Sequence, residues 1–290
     1  MTTKKVMNDF AFFGTPSLCI EILDELASAG YVPSLVVTMP DRAKGRGMET
    51  TETPVATWAR ERDIAVLKPE KLDAAFIEDF KARGITAAIV VAYGKIIPQG
   101  LFDAIPLGMF NIHYSLLPRW RGATPVESAI LAGDAESGVA IQKMVYELDA
   151  GPIAALEKTQ IGADESTHEL RSRLNAMAKK MLVNLMPSIL DGTVAVTEQD
   201  ASHMTHAGKM SKEDGHLDLS DDAIVNYRKY RAYFGWPGTY AFFKRGGKQI
   251  RGIIVQAHMG GSKFIIDTIK PEGKGAMLYT DFVRSGATPE

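Results

Sequence analysis

Phe10-Ala11-Phe12-Phe13-Gly14-Thr15-Pro16 opens the stretch that decides the fold. Four apolar residues bounded by a Gly-Thr-Pro turn read as a short buried strand that the turn converts into a helix. Thr15 suits the N-cap and Pro16 the first helical position. Cys19, Ile22, Leu23 and Leu26 follow at helical spacing, Gly30 supplies the stop, and Ser34–Thr38 is the next strand. A loop of Asp, Arg, Lys, Gly and Thr then runs to Thr53, and Pro54 opens a second helix. Ala65–Leu67, a helix over Asp73–Ala82 and a strand over Ala87–Ala92 continue the alternation. This rhythm predicts an α/β fold with a doubly wound, mostly parallel sheet covered on both faces.

Farther on, Ile105–Phe110 reads as a strand entering Asn111-Ile112-His113. Val139–Val145 and Pro152–Thr159 read as an antiparallel pair around the Asp149-Ala150-Gly151 turn. A long helix follows, opened by the capping box Ser166-Thr167-His168-Glu169, with Leu170, Leu174, Met177, Met181, Leu185 and Ile189 as its buried stripe. Composition changes near Asp200. We expect a catalytic domain over 1–200, a polar linker over 201–222 and a small basic domain over 223–290. From Ala223 to Phe264 there is no acidic residue, whereas Arg228, Lys229, Arg231, Lys244, Arg245, Lys248, Arg251 and Lys263 are basic. Tyr240–Lys244 and Gln249–Val255 read as strands joined by Arg245-Gly246-Gly247.

The totals exclude several classes. The chain has 290 residues, 46% of them apolar and 23% charged, as in ordinary globular proteins. A net charge of -2 gives no global attraction to nucleic acid, so any such binding rests on local patches. The single cysteine, Cys19, lies among apolar residues and is read as packing. No apolar run approaches a membrane span, and no signal-peptide pattern is present, so a cytoplasmic location is expected.

Chemistry concentrates at Asn111-Ile112-His113. Strand geometry sends Asn111 and His113 to one face at a strand's carboxyl end, where open α/β sheets place their ligands. The Asn111 amide can donate to a carbonyl oxygen as it gains charge, and His113 can donate or move protons near neutrality. Asp149 is the leading carboxylate to orient that ring. Each residue also has a plainer reading: Asn111 as a turn cap, His113 as a core histidine, Asp149 as a turn former. Ser115 lacks a Gly-x-Ser-x-Gly elbow, Gly14-Thr15-Pro16 lacks the rest of a dinucleotide fingerprint, and no metal site is expected from His203, His206 and His216. Without a Ser or Cys nucleophile, the set points to direct transfer to an external nucleophile.

Asn111-x-His113-x-Ser115-Leu116-Leu117-Pro118-x-x-Arg121-Gly122, followed by Leu148-Asp149-x-Gly151, resembles the 10-formyltetrahydrofolate-dependent formyltransferases. Within that family the resemblance narrows to the methionyl-tRNA formyltransferases. It does so through Phe13-Gly14-Thr15-Pro16, Pro40-Asp41-Arg42-x-x-Gly45-Arg46-Gly47, Val90-Val91-Ala92-Tyr93-Gly94, Ala132-Gly133-Asp134, Lys209-Met210-Ser211-Lys212-Glu213 and Trp236-Pro237. The match runs nearly end to end.

The resemblance implies a Rossmann-like formyltransferase fold, with Asn111, His113 and Asp149 as the catalytic trio. Tyr93, Gly94, Ile96, Ile97, Ser115, Leu116, Leu117 and Pro118 would hold 10-formyltetrahydrofolate, the co-substrate, without a metal. The loop from Asp41 to Thr53 looks like the insertion that grips initiator methionyl-tRNA, with Arg42, Lys44 and Arg46 as contacts. Arg228, Lys229, Arg231, Lys244, Arg245, Lys248 and Arg251 would add backbone contacts. The partners expected are that tRNA and folate, with no membrane, and the chain is expected to act as a monomer. Two departures stand out. Tyr114 occupies a position usually small, so it could narrow the folate mouth or stack on the carrier. The C-terminal domain lacks a stretch worth roughly two strands, which predicts a reduced OB-like module that does not close into a barrel. A sugar-nucleotide formyltransferase, which shares the trio without needing the Arg-rich loop, and a non-catalytic RNA- or folate-binding module are the alternatives.

Overall fold

The computed structural model describes residues 7–44 and 49–290. In chain order the elements are β1 (Met7–Gly14), α1 (Leu18–Ser28), β2 (Val32–Val37), β3 (Arg42–Lys44), β4 (Glu49–Thr51), α2 (Pro54–Arg60), β5 (Ala65–Leu67), α3 (Ala74–Ala82) and β6 (Ala87–Val91). Then follow α4 (Gln99–Asp103), β7 (Gly108–His113), β8 (Arg121–Gly122), α5 (Pro125–Ala132), β9 (Glu136–Lys143), β10 (Ile153–Gln160), α6 (Thr167–Asp191) and β11 (His206–Ala207). The remainder is α7 (Ala223–Ala232), β12 (Thr239–Arg245), β13 (Lys248–Gly260), β14 (Lys263–Pro271), β15 (Met277–Leu278), α8 (Tyr279–Arg284) and β16 (Thr288–Pro289). Two compact units divide the chain. The first runs to Arg121 and takes in Gly138–Lys158 and Arg173–Thr205; the second comprises Gly122–Ser137, Thr159–Ser172 and His206–Glu290. Among the described residues no helix is long and apolar enough to cross a membrane.

The first unit is built on a seven-stranded sheet of order β10-β9-β7-β6-β1-β2-β5. β1 pairs in parallel with β2 and with β6, β2 with β5, and β6 with β7; β9 joins β7 antiparallel. The chain winds outward from β1 through β2 to β5, then returns to β6 on the other side of β1. That reversal makes the carboxyl ends of β1 and β6 the switch point at which such sheets bind ligands. Phe10, Ala11, Phe12 and Phe13 are fully buried, as strands covered on both faces require. Position 14, the last of β1, takes glycine because a Cβ there would stand 2.6 Å from Phe12 Cε1 and 2.9 Å from Cys19 Sγ. Cys19 is buried packing, as read, and burial pushes its thiol up to about 12.

Three local expectations need correction. Ser17, not Thr15, precedes α1, and Thr15 instead donates its hydroxyl to the Tyr93 carbonyl at 3.0 Å. The loop after β2 is not wholly irregular, since β3 and β4 form an antiparallel pair with Arg42 opposite Thr51. Arg46 falls outside the described residues, and of Lys44 only the backbone is described. The stripe of α6 also shifts: Leu170, Leu174, Met181 and Ile189 are buried, but Ala178, Leu182 and Met186 take the places foreseen for Met177 and Leu185. The capping box forms as read, with Glu169 accepting from the Ser166 amide at 2.8 Å.

The second unit carries a five-stranded sheet of order β15-β14-β13-β12-β16, open at both edges and therefore no closed barrel. Gly246 and Gly247, at φ +56° and +73°, form the two-residue turn between β12 and β13 that only paired left-handed residues allow. Phe243, Ile254, Ile266, Ile269 and Phe282 form its core, with Phe243 and Phe282 edge-to-face at 5.1 Å.

Candidate active site

β7 sits between a parallel and an antiparallel neighbour, with Asn111 opposite Val90 of β6 on one side and Gln142 of β9 on the other. Alternation along the strand sends Asn111 and His113 to one face and Ile112 and Tyr114 to the other. Tyr114 therefore points away from the face that carries Asn111 and His113. It is buried, and its hydroxyl donates to Asn175 Oδ1 of α6 at 2.8 Å. The Asn111 side chain is half-buried and its carboxamide takes no partner among the described residues.

His113 is only 5% exposed. Its Nε2 lies 2.8 Å from the Trp120 carbonyl oxygen, and because a carbonyl only accepts, Nε2 carries the proton. Nδ1 lies 3.6 Å from Asp149 Oδ2, so it can donate toward that carboxylate only when both ring nitrogens are protonated. Gln142, opposite Asn111 in the sheet, turns its amide to Asp149 Oδ1 at 2.8 Å. The structure thus gathers Asn111, His113 and Asp149 in the first unit.

The backbone around them is unusual. Of the four non-glycine residues with positive φ among those described, three flank the site: Ala92 at +46°, Trp120 at +63° and Asp149 at +51°. Such conformations persist only where neighbours over-determine them, and they cluster at functional sites. Ser115 is buried and donates to the Arg119 carbonyl at 2.6 Å, closing the loop that carries Leu116, Leu117 and Pro118. Leu117, Tyr93 and Ile97 are buried, Leu116 and Pro118 half-buried, and Gly94 takes φ +91°. Burial pushes the Tyr93 phenol up to about 12, and its hydroxyl has no partner among the described residues. Gly94 and Ile96 are the exposed residues of those assigned to the donor, and Ile96, 85% exposed, lines an open cleft of about 490 Å³ with Lys71, Lys95 and Tyr146.

Sequence reasoning missed a supporting layer. Gln199 Nε2 donates to the carbonyls of Asp149 (2.8 Å) and Gly151 (2.7 Å), and its Oε1 accepts from Arg121 Nε and Nη2 at 3.1 and 2.9 Å. Arg121 stood in the family motif without a role. Nothing in the local sequence singles out Gln142 or Gln199, whose partners are chosen by strand register and by a contact 50 residues distant.

The cations assigned to nucleic acid fare differently from one another. Arg42 is exposed at the foot of the β3–β4 hairpin. Lys68 bridges the two feet, 2.8 Å from Asp41 and 2.9 Å from Glu52, and its hydrogen bond holds the Glu52 carboxyl below the usual range. In the second unit Arg231 is not a surface cation: it is 8% exposed, donates to the Gly162 and Glu165 carbonyls at 3.2 Å, and packs over Tyr227. Burial is the main cause that lowers its pKa. Arg228 fills the space a side chain at Gly133 would need, and Lys229 donates to the His216 carbonyl at 3.4 Å. Lys244 pairs with Glu290 at 3.1 Å, Arg245 donates to Ser285, Arg251 stacks 3.7 Å above Tyr240, and Lys248 is exposed.

Comparison with known proteins places this geometry in a family context. Residues 8–186 match the family model described as formyl transferase. A methionyl-tRNA formyltransferase from Thermus thermophilus is 38% identical, over 96% of this chain and 97% of its own length. One from Paramagnetospirillum magneticum is 37% identical over the same shares. Among solved structures, the N-formyltransferase from Helicobacter canadensis in complex with folinic acid and dTDP-3-aminofucose shares the fold. Its TM-score is 0.65 at 15% identity, covering 90% of this chain and 95% of that one.

A Cβ at Gly151 would collide with the Lys143 carbonyl. Gly151→Ala is therefore expected to destabilise the chain by about 1–3 kcal/mol, read as a lower urea midpoint; an unchanged midpoint would show that the turn has room to spare.

Proposed function

The chain belongs to the formyl transferase family, with the methionyl-tRNA formyltransferases as relatives over nearly its whole length, and we propose that it formylates the α-amine of initiator methionyl-tRNA. The observation that carries this reading is a half-exposed Asn111 carboxamide, without a partner among the described residues, beside a buried His113–Asp149 pair. A bound 10-formyltetrahydrofolate supplies the formyl group. The residues present fit such a donor: Leu117, Ile97 and the Tyr93 ring offer buried apolar surface, and the Tyr93 hydroxyl, without a partner among the described residues, offers a polar contact.

Each residue then has a role. Asn111 Nδ2 donates to the formyl oxygen as amine attack on the formyl carbon gives it negative charge, which collapses as the bond to folate N10 breaks and the amine's proton ends on the departing tetrahydrofolate. His113, whose Nε2 proton rests on the Trp120 carbonyl in this structure, turns that proton to the same charge when the donor is bound, and Asp149, facing Nδ1, orients the ring. An α-amine with pKa near 8 is partly neutral at physiological pH, so no strong base is required. A catalytic region over 1–200, a connecting segment over 201–222 and a basic region over 223–290 remain the functional partition we favour. Arg42, Lys44 and Arg46 grip the acceptor arm, and Arg228, Lys229, Lys244, Arg245, Lys248 and Arg251 add backbone contacts; Arg231 is left out because its guanidinium is already spent. Two relatives sharing more than a third of their residues with this chain favour tRNA over a sugar nucleotide, since the sugar enzyme shares the fold alone.

The deciding experiment offers one formyl donor with charged initiator tRNA, charged elongator tRNA or an amino-sugar nucleotide. Transfer confined to initiator methionyl-tRNA is expected, and preferential transfer to the sugar would overturn the assignment. Asn111→Ala should lower kcat by about 10²–10³ with KM little changed; near-normal turnover would remove its role. Arg42→Ala should weaken tRNA use severalfold and reduce the salt slope by about 1 while leaving the donor KM alone.

A further inference from the structure

Trp120 and Arg121 are adjacent in the chain, yet they bear on the two ionisable members of the site by different routes. The Trp120 carbonyl accepts from His113 Nε2 at 2.8 Å. The Arg121 guanidinium, in a residue only 6% exposed, gives two N–H groups to Gln199 Oε1 and a third to Glu147 Oε1 at 3.3 Å. Gln199 passes the restraint on, its single amide nitrogen meeting the carbonyls on both sides of Ala150. An amide nitrogen has two hydrogens and its oxygen two lone pairs, so every bonding position of the Gln199 side chain is filled.

The turn needs that restraint. Asp149 sits at φ +51°, in the left-handed region that side-chain-bearing residues adopt only where their surroundings hold them. Its carboxylate reaches His113 Nδ1 only at 3.6 Å, so a modest backbone rotation breaks the approach. Gln142 holds one carboxylate oxygen but nothing of the backbone. Glu147, the other partner of Arg121, is 77% exposed at its side chain and offers a weak anchor. The Ala150 amide closes the turn locally on the Glu147 carbonyl at 3.3 Å, and Gln199 is the side chain that ties both carbonyls flanking Ala150 to a second segment of the chain.

We propose that Gln199 and Arg121 are positioning residues for the reaction: Gln199 clamps the Asp149–Gly151 turn in its left-handed form, Arg121 holds Gln199, and the preceding Trp120 carbonyl fixes the proton on the other nitrogen of His113. This rests on the roles given above to His113 and Asp149, and it adds the source of their alignment.

Two variants test it. Gln199→Glu keeps size and the pairing with Arg121 but presents a carboxylate, without N–H groups, to the two carbonyls. Gln199→Met keeps the shape and removes both ends. Both are expected to lower kcat 10- to 100-fold while the KM values for donor and acceptor stay within twofold. In ¹⁵N spectra of labelled protein the His113 Nδ1 resonance should move more than Nε2. A Gln199→Glu enzyme with at least half the wild-type kcat, or KM changes with kcat preserved, would overturn the clamp. Asp149→Asn measured alongside separates the two levels. If it retains full turnover, the catalytic reading itself fails; if it is impaired while both Gln199 variants are normal, only the clamp fails. Should Gln199→Met not fold, Gln199→Glu and the ¹⁵N spectra still decide.

Discussion

The register between β7 and β9 is the constraint on which the site depends. Asn111 faces Gln142 across an antiparallel pair, and Gln142 in turn holds the Asp149 carboxylate. Side chains alternate with a period of two, so a slip of one residue would carry Gln142 to the opposite face and take its amide from the Asp149 carboxylate. On the other flank β6 runs parallel and delivers Ala92, Tyr93 and Gly94 toward the same end of the sheet. A mixed neighbourhood of this kind lets one short strand collect groups from a parallel crossover and from a hairpin at once.

Much of this was readable from residues. Alternating apolar runs and capped helices disclosed the doubly wound sheet because burial on both faces demands unbroken hydrophobic strands. Asn111 and His113 stood out through their spacing, and Asp149 through turn chemistry and the family pattern. What stayed hidden is what local sequence cannot encode. Thr15 looked like a helix cap, yet its hydroxyl finds the Tyr93 carbonyl on a strand brought alongside by the fold. The β3–β4 pair is polar and short, without a hydrophobic face to announce it. Gln199 lies in an unremarkable segment, and only the folded chain brings it to the Asp149 carbonyl.

The acid-free run from 223 to 264 carries a similar lesson. A one-dimensional tally counts Arg231 with the surface cations, but a guanidinium can be buried where backbone carbonyls satisfy it, as Gly162 and Glu165 do here. Lys244 is countered by Glu290, far outside the run. Charge patterning reports composition, whereas the field a polyanion would meet depends on which charges the fold has already matched.

Position 149 asks two things of one residue. The backbone there prefers glycine, and the neighbouring ring needs a carboxylate. Selection for endurance to heat alone would favour the residue without a side chain at this point, so libraries evolved for robustness should drift toward sturdy but inert proteins unless turnover is screened at the same time.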